Sequence, residues 1–158
     1  MKSFTALALE DFPLIKTGDD IAKMIVDVAL ENDLKLEDGD VVVVAQKVVS
    51  KAEGRIVTLK SIEPSCFANA ISKTTGKDPR HVEAILRETE NIVRMRLGHL
   101  IVETHHGFVC ANAGVDKSNV SGEDSVALLP DDPDKSAREI RMRIRDLTGA
   151  DVGVIVSD

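Results

Sequence analysis

The stretch Leu100-Ile-Val-Glu-Thr-His-His-Gly-Phe-Val-Cys-Ala-Asn112 decides the fold class. Leu100–Thr104 and Phe108–Asn112 are short runs rich in β-branched and apolar residues. Between them stands His105-His106-Gly107, whose glycine supplies the backbone freedom of a tight reversal. The stretch reads as a β-hairpin, and a hairpin requires an antiparallel strand pair.

Working outward, strands and helices alternate irregularly. Phe4–Leu9 alternates and reads as a first strand. Asp19 is an expected N-cap for a helix carrying Ile21, Met24, Ile25 and Val28 on one face and ending near Asn32. Asp38-Gly39 is a turn, after which Val41–Ala45 is a continuous apolar run, the pattern of a strand buried on both faces. Ile56–Leu59 and Ile92–Met95 read as further strands. Pro64 opens a helix that Gly76 should stop, and Asp78-Pro79 caps and starts the next. Ser125–Leu129 is a short strand. A helix with Ala137, Ile140, Ile144 and Leu147 inward closes at Gly149, and Val152–Val156 is a last buried strand. This order predicts an α+β fold, a mixed sheet with a hairpin and flanking helices, in preference to a doubly wound parallel sheet. One domain is expected over residues 1–158.

Composition limits function. The 158 residues are 43% hydrophobic and 30% charged, a folded rather than disordered balance. There are four Phe and neither Trp nor Tyr, so the core must be aliphatic. A formal charge of −7 argues against nucleic-acid binding through phosphate neutralisation, and stacking aromatics are scarce. No apolar run approaches membrane-spanning length and no signal peptide opens the chain, so a cytoplasmic protein that contacts no membrane is expected. Cys66 and Cys110 form no C-x-x-C pair and are expected as two buried thiols.

Three places carry candidate chemistry. In Asn112-Ala-Gly-Val-Asp-Lys-Ser-Asn119, Gly114 permits a turn that would aim the Asp116 carboxylate outward, and a hard cation takes oxygen ligands. Asp, Asn, Ser and Gly are also what ordinary turns are made of. Lys47, Lys51 and Arg55 follow a strand, with Gly54 between, and form a basic turn that could meet phosphate; the alternative is a solvated hairpin with Glu53 neutralising a lysine. Asp158 ends the last strand, a common placement for a metal carboxylate. Neither a P-loop nor a dinucleotide glycine pattern is present. His99, His105 and His106 lack zinc spacing, and Arg138, Arg141 and Arg145 read as a solvated helix face.

Taken in order, Phe12-Pro-Leu-Ile15, Gly39-Asp-Val-Val-Val-Val-Ala-Gln-Lys47, Ser50-Lys-Ala-Glu-Gly-Arg55, Asn112-Ala-Gly-Val-Asp-Lys-Ser-Asn119, Leu128-Leu-Pro130, Ala137-Arg-Glu-Ile140 and Val152-Gly-Val-Ile-Val-Ser-Asp158 resemble the coenzyme F420-0:L-glutamate ligase family. The resemblance implies a GTP-dependent enzyme that needs Mg2+ or Mn2+ and adds L-glutamate to the deazaflavin coenzyme F420-0 by way of an acyl phosphate. It implies Asp116 and Asp158 as metal carboxylates. It places Phe12, Pro13, Leu14, Ile15, Gln46, Lys47, Lys51 and Asn119 around the guanine nucleotide, and it identifies no catalytic residue. It implies a homo-oligomer.

Family members continue past the position of Asp158 into a second α/β portion. The chain is therefore expected to be the N-terminal half of such a ligase, a fragment or one polypeptide of a split enzyme with a complementary C-terminal partner, and inactive alone. The alternative reading is a non-catalytic nucleotide- or partner-binding module.

Overall fold

The structure is a computed structural model that describes residues 3–118 and 124–157. The chain forms two compact units, Met1–Ala52 with Pro133–Asp158, and Glu53–Asp132. Across the chain, helices accompany small parallel and antiparallel sheets, an α+β fold, so the expected fold class holds.

In the first unit, β1 (Val41–Ala45) and β8 (Gly153–Ser157) lie parallel, from Val41 opposite Gly153 to Ala45 opposite Ser157. The turn before β1 sets this register. Gly39, at φ 90°, donates its N–H to the Asp151 carbonyl at 3.1 Å, and the Asp151 N–H donates to Asp38 Oδ1 at 2.7 Å. Helices α1 (Ile21–Glu31), α2 (Gln46–Ala52) and α5 (Pro133–Thr148) supply the remaining elements. Ile21, Ile25, Val44, Val49, Ile140, Ile144 and Val152 form the core of this unit.

Three expectations change here. The N-cap of α1 is Asp20, which accepts from the Lys23 N–H; Asp19 instead accepts from the Lys16 N–H at 2.7 Å. The β1 run is buried on one face only. Val42 and Val44 turn to the core, while Val41 and Val43 are 58% and 63% exposed and Ile155 across from Val43 is 50% exposed. The helices pack on one side of the pair, and among the described residues nothing covers the other. Phe4–Leu9 forms no strand: Phe4 and Leu7 are exposed, and alternation makes a strand only where the segment pairs and one face is buried.

The second unit holds two antiparallel sheets. One has the order β3–β4–β5 (Thr89–Arg96, His99–Thr104, Val109–Ala111), and the other β2–β7–β6 (Ile56–Thr58, Ser125–Ala127, Asp116–Ser118). The hairpin read from the sequence is β4–β5: the Thr104 N–H donates to the Phe108 carbonyl at 2.9 Å and Gly107 turns at φ 82°. Helix α3 (Cys66–Thr75) is capped by Ser65 and stopped by Gly76 in the left-handed region, while α4 (Pro79–Arg87) is capped by Asp78 with proline in its first turn. Leu59, Ile71, Val82, Ile85, Leu100, Val102, Ala113 and Val126 are its buried core. Aliphatic packing thus replaces aromatic bulk, as the composition requires. Cys66 is exposed at the start of α3 and Cys110 half-buried, so the expectation of two buried thiols is corrected; a helix's first residue carries no packing obligation.

Candidate functional site

The sequence-derived residues fall into two groups, one in each unit. In the first unit, Phe12 packs partly buried against the core and Leu14 is 86% exposed, with Pro13 exposed and Ile15 half-buried between core and solvent. The chain just beyond them is tied to the end of α2. Thr17 Oγ1 donates to the Lys51 carbonyl at 3.3 Å, and the Gly18 N–H donates to the Ala52 carbonyl at 2.8 Å. The structure therefore brings Phe12–Ile15 and α2 into one neighbourhood.

Gln46 and Lys47 open α2 directly from the C-terminal end of β1. The expected loop around Ser50–Lys51 is helix, and the turn is confined to Glu53-Gly54. Gln46 is 6% exposed, and its Oε1 lies 3.1 Å from Ser50 Oγ, so its carboxamide oxygen faces inward. Lys51 is half-buried in the last turn of α2. Because Ala45 pairs with Ser157, the start of α2 stands beside the end of β8. Asp158, which follows Ser157, and Asn119 lie outside the described residues.

The second unit presents Asp116, exposed, as the first residue of β6 and opposite Ala127 on β7. The turn delivering it is unusual. Asn112, Ala113 and Gly114 all lie in the left-handed region, at φ 54°, 55° and 67°, and the Val115 N–H closes the turn on the Asn112 carbonyl at 2.9 Å. A left-handed non-glycine residue costs about 1–2 kcal/mol, yet Ala113 is fully buried there. The Asn112 Oδ1 atom is buried without a hydrogen-bond partner, a cost of about 1–3 kcal/mol for an unsatisfied acceptor. A side chain at Gly114 would be strained by its positive φ and would meet Leu129, whose side chain would lie 2.7 Å from an added Cβ.

Arg55 proves to be a clamp. Its Nε donates to the Leu129 carbonyl at 3.0 Å, Nη2 donates to Glu88 Oε2 at 2.8 Å, and Nη1 lies 3.1 Å from Asp131 Oδ1. His106 Nε2 donates to the Pro130 and Asp131 carbonyls at 2.9 and 3.0 Å, and its ring stacks on Phe108. His105 instead meets Glu90 and the Arg87 carbonyl, which raise its pKa, the carbonyl bond first. His105 and His106 thus stand at the turn of the β4–β5 hairpin, where the sequence order puts them, while His99 opens β4 opposite Arg96. Sequence reasoning found Gly114 but missed Leu129, Arg55 and His106 as its surroundings, because a contact made 15 residues away along the chain leaves no local periodic signal.

Oxygen ligands suit a hard cation such as Mg2+ or Mn2+, and Asp116 presents an exposed carboxylate. Among the described residues no group of three or more His, Cys, Asp or Glu side chains gathers to hold a metal. A nucleotide-bound magnesium needs only one or two protein carboxylates, and Asp116 is one exposed carboxylate. Among the described residues, no helix is long and apolar enough to cross a membrane.

Comparison with known proteins bears on the whole of this arrangement. The sequence profile of the F420-0:Gamma-glutamyl ligase family matches residues 11–158. A coenzyme F420:L-glutamate ligase of Methanopyrus kandleri is 50% identical over 161 aligned positions, covering 100% of this chain and 62% of the relative. The proteins of the same name from Methanothermobacter thermautotrophicus and Methanocaldococcus jannaschii are 48% and 43% identical, over 96% and 94% of this chain and 60% and 57% of theirs. The chain thus spans about three fifths of the length of the curated relatives it matches. The chain belongs to the F420-0:gamma-glutamyl ligase family.

Proposed function

We propose that the protein built on these residues is a GTP-dependent ligase that joins L-glutamate to the side chain of coenzyme F420-0 through an amide bond. The observation that carries the ligase reading is the family match over residues 11–158, with relatives named coenzyme F420:L-glutamate ligase at up to 50% identity; the use of GTP is part of the proposal. The activity belongs to the protein at the length its relatives have.

In the proposed reaction the terminal carboxylate of F420-0 attacks the γ-phosphorus of GTP and GDP leaves. The glutamate amine then attacks the acyl carbon, phosphate departs, and the amine loses a proton. Phosphoryl transfer is governed chiefly by positioning and by charge set against the transferred oxygens. Phe12–Ile15 would offer an apolar wall to the nucleotide, and Lys47 and Lys51 positive charge to its phosphates, with Gln46 holding the start of α2 through Ser50. Asn119 completes the proposed nucleotide contacts. Asp116 and Asp158 would hold a divalent cation, Mg2+ or Mn2+, which supplies further offsetting charge when bound. Assembly as a homo-oligomer, and a cytoplasmic location, belong to the same proposal.

Nucleotide binding tests the assignment of α2 by itself. A fluorescent GTP analogue titrated into the protein should be displaced by GTP but poorly by ATP. Lys51→Met should weaken binding by about tenfold, the worth of one ion–phosphate contact. Equal binding by the variant, with its melting temperature unchanged, would remove Lys51 from the site.

A further inference from the structure

The turn at Asn112–Gly114 combines three features that no ordinary connection needs at once. Three successive residues are left-handed, a buried alanine is among them, and the Asn112 carboxamide oxygen is buried without a partner. Such conformations persist only where the surroundings over-determine them, and they gather where a side chain must be held in one direction. Two residues beyond Gly114 comes Asp116.

The surroundings can be followed residue by residue. The Leu129 side chain fills the space over Gly114, so the turn cannot roll toward it. Leu129 is itself fixed by its backbone: Arg55 Nε holds its carbonyl, and His106 Nε2 holds the next two carbonyls, those of Pro130 and Asp131. Arg55 is anchored in turn on Glu88 and Asp131, and its own carbonyl accepts the Leu128 N–H at 2.9 Å. Three consecutive carbonyls are thus gripped by two side chains, and the leucine among them presses on the turn. All of these groups lie in the second unit.

We propose that Leu129, braced by Arg55 and His106, is a positioning residue that fixes the left-handed turn Asn112–Gly114 and through it the direction of the Asp116 carboxylate. The assignment rests on the reading of Asp116 as a cation ligand, while the mechanical part, that Leu129 orders Asp116, stands separately.

The test pairs two measurements on Leu129→Ala. Leu129→Val serves as a milder variant should alanine fail to fold, and Ile71→Ala, elsewhere in the same core, as a control of comparable loss in melting temperature. Backbone 15N relaxation should show lowered order confined to residues 112–116 in Leu129→Ala and not in Ile71→Ala. Mn2+ binding, followed by the electron paramagnetic resonance of the free ion, should weaken about tenfold in Leu129→Ala, remain near wild type in Ile71→Ala, and recover in Leu129→Ile. Unchanged order at residues 112–116 in Leu129→Ala, or equal loss in the control, overturns the proposal. Lowered order in Leu129→Ala with Mn2+ binding unaffected even by Asp116→Asn would instead uphold the positioning and overturn the metal reading of Asp116.

Discussion

Asp116 is where the chemistry and the local backbone meet. It was legible from the sequence because Gly114 stands two residues before it and polar residues follow, and the structure indeed sets it at the exposed start of β6. The sequence could not show that Ala113 joins the left-handed turn, since alanine gives no hint of a positive φ. Asp116→Asn keeps size and hydrogen-bonding capacity while removing the charge that a hard cation needs. Metal-dependent ligation should therefore fall by on the order of 10²-fold or more. The melting temperature without metal should stay nearly constant, because the residue is exposed. Turnover and metal dependence near wild type would make it a plain turn residue.

Among the elements, those closed by local chemistry were the most legible. Asp78-Pro79 and Gly76 announced the limits of α4 and α3, and Gly149 that of α5, because a cap or a left-handed glycine is written into the sequence itself. Elements defined by distant partners were less so. Phe4–Leu9 alternates like a strand but joins none of the sheets, and Ser50–Arg55 reads as a turn although α2 runs through Ala52. Burial on both faces of β1 was inferred from an apolar run, but a run records what a face can tolerate rather than what covers it.

The α4 cap also carries a pH signature. The Arg80 guanidinium, followed by the backbone bonds of the cap, holds the Asp78 carboxyl down at about 2. A carboxyl lowered on folding contributes stability above its ordinary pKa of 3.8 and loses that contribution as pH falls toward about 2. Asp78→Asn should accordingly flatten the fall in melting temperature between those two values. At neutral pH it should cost only a few tenths to about 1 kcal/mol, since asparagine also caps. An acid limb identical to wild type would show that the Asp78–Arg80 pair does not contribute in solution.

At the scale of the whole molecule, among the described residues one apolar face of the parallel pair β1–β8 is left open: Val41, Val43 and Ile155 are each at least half exposed. Parallel strands are ordinarily covered on both faces, and a patch of this kind seeks cover. The protein should bind a hydrophobic dye and self-associate as concentration rises. Val43→Lys with Ile155→Lys should reduce both without unfolding the protein, as the two side chains already face solvent. Sedimentation as a strict monomer at high concentration, with no dye binding, would contradict this.

The 158 residues match the curated relatives along only about three fifths of their length. Mass spectrometry of the ligation product is the most direct measurement of the function proposed. F420-0, L-glutamate, GTP and Mg2+ or Mn2+ would be incubated with the 158-residue chain alone, and with the chain joined to the portion of the Methanopyrus kandleri relative that it does not match. The joined protein should yield F420-0 carrying added glutamate, with one GDP and one phosphate released for each glutamate and no product when GTP or metal is withheld. The chain alone should give little. A folded joined protein that forms no glutamylated product, or forms it without consuming GTP, would contradict the assignment.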